Sequence, residues 1–516
     1  MARKKIALLT INPDDEIVQK IIAGIMEQCE RYNYDLAVFS PMVHITNYFK
    51  DYLHGELNIY NLVQFDAFDG VIITPVPMQE EQITTLTDAL LKRLQEECHV
   101  PVVSVNLAFG DYDVVYSDEY TAIRTMTEHV ITSHGAKNIA ILTGPKDSAI
   151  SNERVRVAKE TIEESGLTLP EDRIHYGDFW YSSGEKLAEQ IAAGEVEKPD
   201  AVVCTSDHMA IGLVNRLMEL GVNVPQDIVV TGNGGTKEAM LNIPPITTYE
   251  ADEDYTGAEA VNRLRTLMGD GAVSEPSLDG KKNLCIGGTC GCAEEVRRIR
   301  YKIQDYMYTS GYNTAQQREN SGITLTTLME SYISEMFTAT TDAENCLNKI
   351  YESIYLLKPY GCFYLCLNEH WLEEAYDREN GYPERMNLAV FSDQAKKLHG
   401  CINHVFFGPD RERKFDTKQM LPAMWEDEEE PQVYFFAPIH FEKKAVGYAV
   451  LQNPMNMPMH MGSVYSMYLR YINNALEISR AKHTILNMSE RDQMTGLYNR
   501  RGLMRVAEKM LKDAKD

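Results

Sequence analysis

The stretch PDAVVCTSDHMAIGLVNRLMELGVNVPQDIVVTG, which spans Pro199–Gly232, decides the fold. It begins with a short apolar run, Ala201–Thr205, and the Ser206-Asp207 pair that follows is typical of a helix start. Apolar residues then recur at three- and four-residue steps, and a Gly-containing turn leads to a second apolar run, Ile228–Thr231. A strand–helix–strand unit with such apolar strands is typical of a parallel sheet covered by helices.

The same alternation extends along the first half of the chain. Further strands are predicted at Lys5–Ile11, Leu36–Phe39, Gly70–Thr74, Val100–Val105, Ile139–Thr143 and Ile246–Tyr249. Further helices are predicted at 119–134, 150–165, 183–194, 207–221 and 252–268. A chain of 516 residues is long enough for about three domains, and we assign residues 1–285 to the first of them. The sequence therefore predicts an α/β fold for this region.

Composition and charge restrict the class of partner. Hydrophobic residues make up 44% of the chain and charged residues 24%, as in ordinary globular proteins. The formal net charge of −26 disfavours binding to nucleic acid and to anionic membranes, so we expect neither DNA nor a membrane as a partner. The first apolar run is too short for a signal peptide, and the ten cysteines are scattered. These observations predict a cytoplasmic protein with reduced thiols.

Three segments, in the family's order, resemble the sensor region of the LacI family and, more broadly, the type I periplasmic binding proteins. Asp118 with Ser133–Ala140 resembles the family's helix, Gly turn and strand. Pro199–Gly232 is the strongest match, and Ile246–Leu264 resembles the segment that returns the chain to the first lobe. The resemblance implies a two-lobed fold that binds a small ligand in the cleft, where carboxyl ends of parallel strands meet. Because no helix-turn-helix precedes Lys5, we expect no DNA-reading module.

Candidate ligand-binding residues follow predicted strands or begin predicted helices. They are Asn12, Asn106, Arg156, Ser206, Asp207 and Asn233. The resemblance matches Arg156 with a ligand-binding arginine of many family members, and Ser206-Asp207 with the family's usual Asn-Asp pair. Asp207 is alternatively a helix cap, and Arg156 is alternatively part of a surface ion pair. The acid that usually grips a sugar hydroxyl pair is missing at Gly234, so the expected ligand is a sugar, a nucleoside or a similar metabolite.

Three cysteines close together in the sequence, Cys285, Cys290 and Cys292, are candidates for a metal-binding site. The segment has no second ligand pair at zinc spacing nearby, and related sensor regions often end in a similar Cys-Gly-Cys turn. We interpret the cluster as packing and predict no metal site. The sequence shows no phosphate loop or nucleophile elbow, so we assign no catalytic residue to this chain.

The second half of the chain is predicted to transmit the ligand-binding signal from the first domain to an output domain. Residues 286–320 suggest a linker helix, and residues 321–462 resemble, in pattern only, a GAF-like α+β domain that binds a small ligand or only dimerises. Residues 463–491 are predicted to form a long signalling helix. Its apolar spacing suits packing on its own domain or a coiled coil with a second copy.

The last segment, residues 492–516, opens with DQMTGLYNRR and resembles the start of a GGDEF domain, the diguanylate cyclase family. The GTP and Mg²⁺ that this family uses would bind only in a missing portion, since the motif of its active site does not occur in the chain. The leading prediction is therefore the truncated sensory half of a homodimeric diguanylate cyclase. The alternative is a non-enzymatic LacI-like regulator that acts through protein contacts.

Overall fold

Two compact units make up the described part of the chain. The computed structural model describes residues 3–11, 16–42, 50–74, 81–106, 108, 110–274, 284–292, 342–357, 360–373, 381–394, 404–408, 411–457, 463–490, 495 and 497–513. Unit 1 comprises the described residues of 1–115, 257–276 and 321–516. Unit 2 comprises those of 116–256 and 277–320.

The strands and helices are numbered in chain order. The strands are β1 (Lys5–Leu9), β2 (Asp35–Phe39), β3 (Gly70–Ile73), β4 (Val102–Val105), β5 (Asp113–Val115), β6 (Ile139–Thr143), β7 (Ile174–Tyr176), β8 (Ala201–Cys204), β9 (Val229–Asn233), β10 (Thr247–Tyr249), β11 (Leu284–Cys285), β12 (Cys362–Asn368), β13 (Arg385–Asp393), β14 (Lys414–Asp416), β15 (Gln432–Phe441) and β16 (Lys444–Pro454). The helices are α1 (Glu16–Tyr32), α2 (Lys50–Leu57), α3 (Glu81–Glu97), α4 (Glu119–Thr132), α5 (Ala149–Glu164), α6 (Tyr181–Ala193), α7 (Asp207–Glu219), α8 (Lys237–Leu241), α9 (Glu253–Leu267), α10 (Ala343–Ser353), α11 (Ser463–Glu490) and α12 (Arg500–Asp513).

Unit 2 is a six-stranded sheet in the order β11-β10-β9-β8-β6-β7, parallel except for the edge strand β11. Alternate residues of its central strands enter two apolar cores. Leu142 of β6 packs with α6 and α7 on one face, whereas Ile141 packs with α4 and α5 on the other. This burial on both faces explains why the strands are apolar throughout. The prediction of an α/β fold with a parallel sheet is confirmed here.

Unit 1 contains a ten-stranded sheet in the order β14-β13-β12-β16-β15-β2-β1-β3-β4-β5. The β2–β5 side is parallel, and the β12–β16 side is antiparallel. The two sides join where β15 pairs in parallel with β2, and the rings of Phe39 and Phe436 stack 4.6 Å apart across this joint. The buried carboxylate of Asp35 accepts hydrogen bonds from Lys5 Nζ at 2.6 Å and from the Gln432 backbone N–H at 2.9 Å.

This joint differs from the predicted separation of residues 1–285 from a GAF-like domain at 321–462. A strand at the edge of a sheet leaves a row of backbone N–H and C=O groups without partners, and β15 supplies those partners to β2. The predicted linker, residues 286–320, lies outside the described residues from residue 293 onward. The remaining domain boundaries stay predictions.

The long helix predicted near the C-terminus is present as α11. In its first half, Tyr468 and Ile472 are fully buried in the core of unit 1, so this part packs on its own unit. In its second half, Ile485 and Met488 are exposed. Among the helices of the described residues, none is both long enough and apolar enough to span a membrane.

Candidate ligand-binding site

The carboxyl ends of β6 and β8 mark the place where the strand order of the unit 2 sheet reverses. From β6 the chain moves outward to β7, and it then crosses to β8 on the other side of β6. Ligands of open α/β sheets bind in the crevice at such a reversal, outside the carboxyl ends of the strands. Thr143 ends β6 and Thr205 follows β8, and the buried hydroxyl of Thr205 donates to that of Thr143 at 3.1 Å.

A guanidinium group lies at this reversal. Arg154 of α5 donates from Nη1 to the backbone carbonyl of Thr205 at 2.8 Å. Its Nε and Nη2 donate to the two carboxylate oxygens of Glu119 at 2.8 and 2.5 Å, which is the bidentate geometry of a strong ion pair. The two side chains are only 13% and 22% exposed. Because a guanidinium carries five N–H donors, two of them have no acceptor among the described residues and are available to a ligand.

An amide completes this polar network. Asn233, the last residue of β9, donates from Nδ2 to Glu119 Oε2 at 3.5 Å, the long limit of a hydrogen bond. Its Oδ1 is buried and accepts no hydrogen bond from the described residues. A buried acceptor without a donor costs free energy, so this oxygen favours a ligand or water that carries a donor. Arg154, Glu119 and Asn233 thus form one connected network, which we call the strand-end network.

Aromatic rings lie beside the strand-end network. The guanidinium of Arg154 stands 5.4 Å from the ring centre of Phe179, a cation–π contact. A Cβ at Gly144 would lie 2.1 Å from the Phe179 ring, so only glycine fits there. The Ser206 hydroxyl donates to the backbone carbonyl of Phe179 at 2.9 Å and holds this loop in place. The neighbouring Trp180 is 55% exposed and stacks on an adjacent imidazole at 4.5 Å.

Asp207 has a different role from its neighbours. It is the first residue of α7 rather than its cap, and it is 1% exposed. Its Oδ2 accepts from the Thr236 backbone N–H at 2.8 Å, and its Oδ1 accepts from the Thr248 hydroxyl at 2.5 Å. Burial raises the pKa of the Asp207 carboxyl, and these hydrogen bonds act in the opposite direction. Asp207 therefore connects α7 with β10 and with the turn before α8.

Among the other predicted site residues, Arg156 does not join the strand-end network. Arg156 is exposed and pairs with Glu153 at 2.5 Å and Glu160 at 2.6 Å on its own helix. The structure therefore shows the ion-pair interpretation of Arg156. Arg156 lies two positions after Arg154 on α5, and two positions along a helix turn a side chain to nearly the opposite direction. Asn106 belongs to unit 1, where it follows β4 with a left-handed φ of 62°. Asn12 lies outside the described residues.

Three comparisons connect this geometry to known proteins. Residues 128–290 match the family model of a periplasmic-binding-protein-like domain. The HTH-type transcriptional repressor PurR of Escherichia fergusonii is 26% identical over 263 residues, which cover 51% of this chain and 72% of the relative. PurR of Vibrio vulnificus is 25% identical over 269 residues, which cover 52% of this chain and 75% of the relative.

Two transcription regulators are among the similar solved structures. A LacI family transcriptional regulator from Mycobacterium smegmatis is 20% identical, with a TM-score of 0.44, over 55% of this chain and 98% of that protein. The transcription regulator CcpA of Lactococcus lactis is also 20% identical, with a TM-score of 0.44, over 56% of this chain and 99% of that protein.

These comparisons correct the leading functional prediction. The curated relatives are transcriptional repressors, so the prediction of a diguanylate cyclase's sensory half is wrong, and the LacI-like alternative is favoured. Neither the GAF-like nor the GGDEF assignment finds support among the similar proteins. The expectation that DNA is not a partner also runs against the description of these relatives as HTH-type repressors. The chain contains a periplasmic-binding-protein-like domain over residues 128–290, and its curated relatives are HTH-type transcriptional repressors.

Proposed function

We propose that the chain is a non-enzymatic, LacI-like regulator that binds a small polar metabolite at the strand-end network and passes the signal on through macromolecular contacts. The observation that carries the proposal is the network itself, which places unused hydrogen-bond donors and a buried unused acceptor at the reversal of the sheet. The similarity to transcriptional repressors supports a regulatory output.

The side chains of the site suggest the class of ligand. Arg154 offers donors, Asn233 offers an acceptor, and the Phe179 ring offers a flat apolar surface. A matching ligand combines hydroxyl or amide groups with a flat or apolar face. Sugars and nucleosides have both features, and we propose these two classes.

A thermal-shift screen tests the proposed function. The full chain is melted with a panel of sugars, nucleosides and, as a comparison class, amino acids. A binder at a hundred times its Kd stabilises the folded state by about 2.7 kcal/mol, which raises the melting temperature by several degrees. We expect a hit among the sugars or nucleosides. A panel in which no sugar or nucleoside shifts the melting temperature contradicts the proposal.

Trp180 offers a second readout of the same binding event. The chain has three tryptophans, so replacing Trp371 and Trp425 with phenylalanine leaves Trp180 as the single reporter. Since Trp180 is partly exposed beside Phe179, a ligand at the strand-end network changes its emission. A compound that shifts the melting temperature without changing this emission binds elsewhere.

We further propose that the chain forms a homodimer through the second half of α11. Ile485 and Met488 are 65% and 59% exposed and lie one helical turn apart, so they form an apolar strip that a second copy can cover. Size-exclusion chromatography with light scattering should give the mass of a dimer at micromolar concentration. Ile485→Glu combined with Met488→Glu should give the mass of a monomer. A strict monomer of the unmodified chain, with and without ligand, contradicts the proposal.

A further inference from the structure

Four metal-ligand side chains from distant parts of the sequence meet in unit 2. His129 lies in the last turn of α4, and His134 lies in the turn directly after that helix. Cys290 and Cys292 follow β11, with Cys292 158 positions beyond His134. One ligand atom from each of the four side chains lies within 4.8 Å of all the others.

The distances match those around a tetrahedral zinc ion. The Nε2 atoms of His129 and His134 are 3.3 Å apart, and Cys292 Sγ lies 3.4 Å from the His134 Nε2 and 4.0 Å from the His129 Nε2. With zinc bonds of about 2.0 Å to nitrogen and about 2.3 Å to sulfur, a tetrahedron places its two nitrogens about 3.3 Å apart and a nitrogen and a sulfur about 3.5 Å apart. Among these three distances, the largest departure from the tetrahedron is about 0.5 Å, between the Cys292 Sγ and the His129 Nε2. Cys290 lies within 4.8 Å of the other ligand atoms, so it closes on the ion with a shift of about 1.3 Å at most.

The protonation state of the two histidines also favours a metal site. Two Nε2 atoms at 3.3 Å cannot both carry a proton without placing the two N–H groups against each other. Neutral imidazoles are the form that binds a metal ion.

The backbone between the two cysteines allows both side chains to bind one metal ion. Gly291, which separates Cys290 from Cys292, has a φ of 79°, in the left-handed region that favours glycine. This turn lets two side chains that are two positions apart point towards one centre. Cys290 is buried and Cys292 is half-buried, and both thiols are free of disulfides.

We propose that His129, His134, Cys290 and Cys292 bind one structural Zn²⁺ ion. A set of two sulfurs and two nitrogens in a tetrahedron is typical of zinc, and four protein ligands leave no open position for a reacting water. Both cysteines bind as thiolates, so their two protons go to solvent when the ion binds. The ion connects the segment after β11 to the end of α4, and it stabilises unit 2 whether or not a ligand occupies the strand-end network.

Metal analysis of the full chain tests the proposal. After exposure to zinc and removal of loosely bound ions, we expect about one zinc per chain. Replacement by Co²⁺ should give the strong visible bands of a tetrahedral cobalt site and a thiolate-to-cobalt charge-transfer band. This spectrum needs no variant, so it does not depend on whether a variant folds. An unmodified chain that retains no zinc and gives no tetrahedral cobalt spectrum overturns the proposal.

Matched variants locate the ion. Cys292→Ser and His134→Asn should each lower zinc affinity by at least about tenfold. Cys285→Ser, which removes a thiol of the same segment outside the cluster, should keep the zinc content of the unmodified chain. Equal zinc contents in Cys292→Ser and Cys285→Ser would overturn the proposed ligands. Retention of iron or copper instead of zinc would contradict the assignment of the ion as zinc. A Cys290–Cys292 disulfide in the purified chain would contradict the proposal that both cysteines bind an ion.

Discussion

Replacing Arg154 with glutamine is expected to weaken binding of the best ligand from the metabolite panel by at least about tenfold. The change removes the charged fork that holds Glu119 and the Thr205 carbonyl, and it removes the two N–H groups available to a ligand. Hydrogen bonds to charged groups contribute about 1.5–3 kcal/mol, which corresponds to about 10- to 150-fold in affinity. Titration followed by calorimetry or by Trp180 emission measures the loss. Arg154→Lys keeps the charge but not the bidentate geometry, so the ligand affinity of this variant should lie between those of the unmodified chain and of Arg154→Gln.

Arg156 provides a control on the same helix. Arg156→Gln makes the same chemical change two positions away, where the side chain is exposed and its ion pairs within the described part of the chain are with Glu153 and Glu160. Exposed pairs contribute little free energy, so ligand affinity should stay within about twofold. The melting temperature of each variant without ligand shows whether it is folded. If Arg156→Gln loses as much affinity as a folded Arg154→Gln, or if Arg154→Gln loses none, the ligand does not bind at the strand-end network.

The choice between these two arginines shows what sequence reasoning missed. The resemblance pointed to Arg156, but the helical phase of α5 contains a better signal. Ser151, Ala158 and Thr161 are buried at positions −3, +4 and +7 from Arg154, so Arg154 shares their face of the helix. Arg156 is not three or four positions from any of these buried residues. Counting three and four positions on from Arg154 reaches the apolar residues Val157 and Ala158, so this count would have selected Arg154.

Strand positions in unit 2 were easier to predict. Ile139–Thr143 is found with the predicted bounds, and the predicted Ala201–Thr205 ends one residue earlier. A strand buried on both faces leaves a continuous apolar run, and polar residues follow where it leaves the core. For this reason, the sequence also identified Ser206 and Asn233 at strand ends. The bonds that these two residues make, to Phe179 and to Glu119, depend on the three-dimensional arrangement of the segments, which local patterns do not contain.

Contacts between segments far apart in the sequence could not be predicted, for the same reason. His134 and Cys292 meet across 158 positions, and a search for zinc spacing near the cysteines does not find such a pair. The joint between β15 and β2 had one local signal. Val433–Ala437 is an unbroken apolar run, which is typical of a strand with neighbours and cover on both sides rather than of an exposed edge. The sequence does not say which strand that neighbour is.

Replacing Asp207 with alanine is expected to have the largest effect on stability. It leaves the Thr236 N–H and the Thr248 hydroxyl buried without their acceptor, and each such group costs about 1–3 kcal/mol. We expect the free energy of unfolding to fall by about 3 kcal/mol. Urea unfolding followed by Trp180 emission, with Trp371 and Trp425 replaced, measures the change in unit 2. Glu185→Ala, which removes an exposed acid of α6, should change it by less than about 0.5 kcal/mol.

The pH dependence of the same measurement isolates the carboxyl group. Because burial raises the pKa of Asp207 in the folded state above its ordinary 3.8, the folded protein retains this proton at pH values where the unfolded chain has lost it. Its contribution to stability is therefore complete below the unfolded pKa and decreases as the pH rises through the folded pKa. Asp207→Asn cannot ionise, so the stability advantage of the unmodified chain over this variant should shrink as the pH rises above about 4. An advantage that grows with pH instead would mean that the two hydrogen bonds outweigh burial and that Asp207 is ionised in the folded protein.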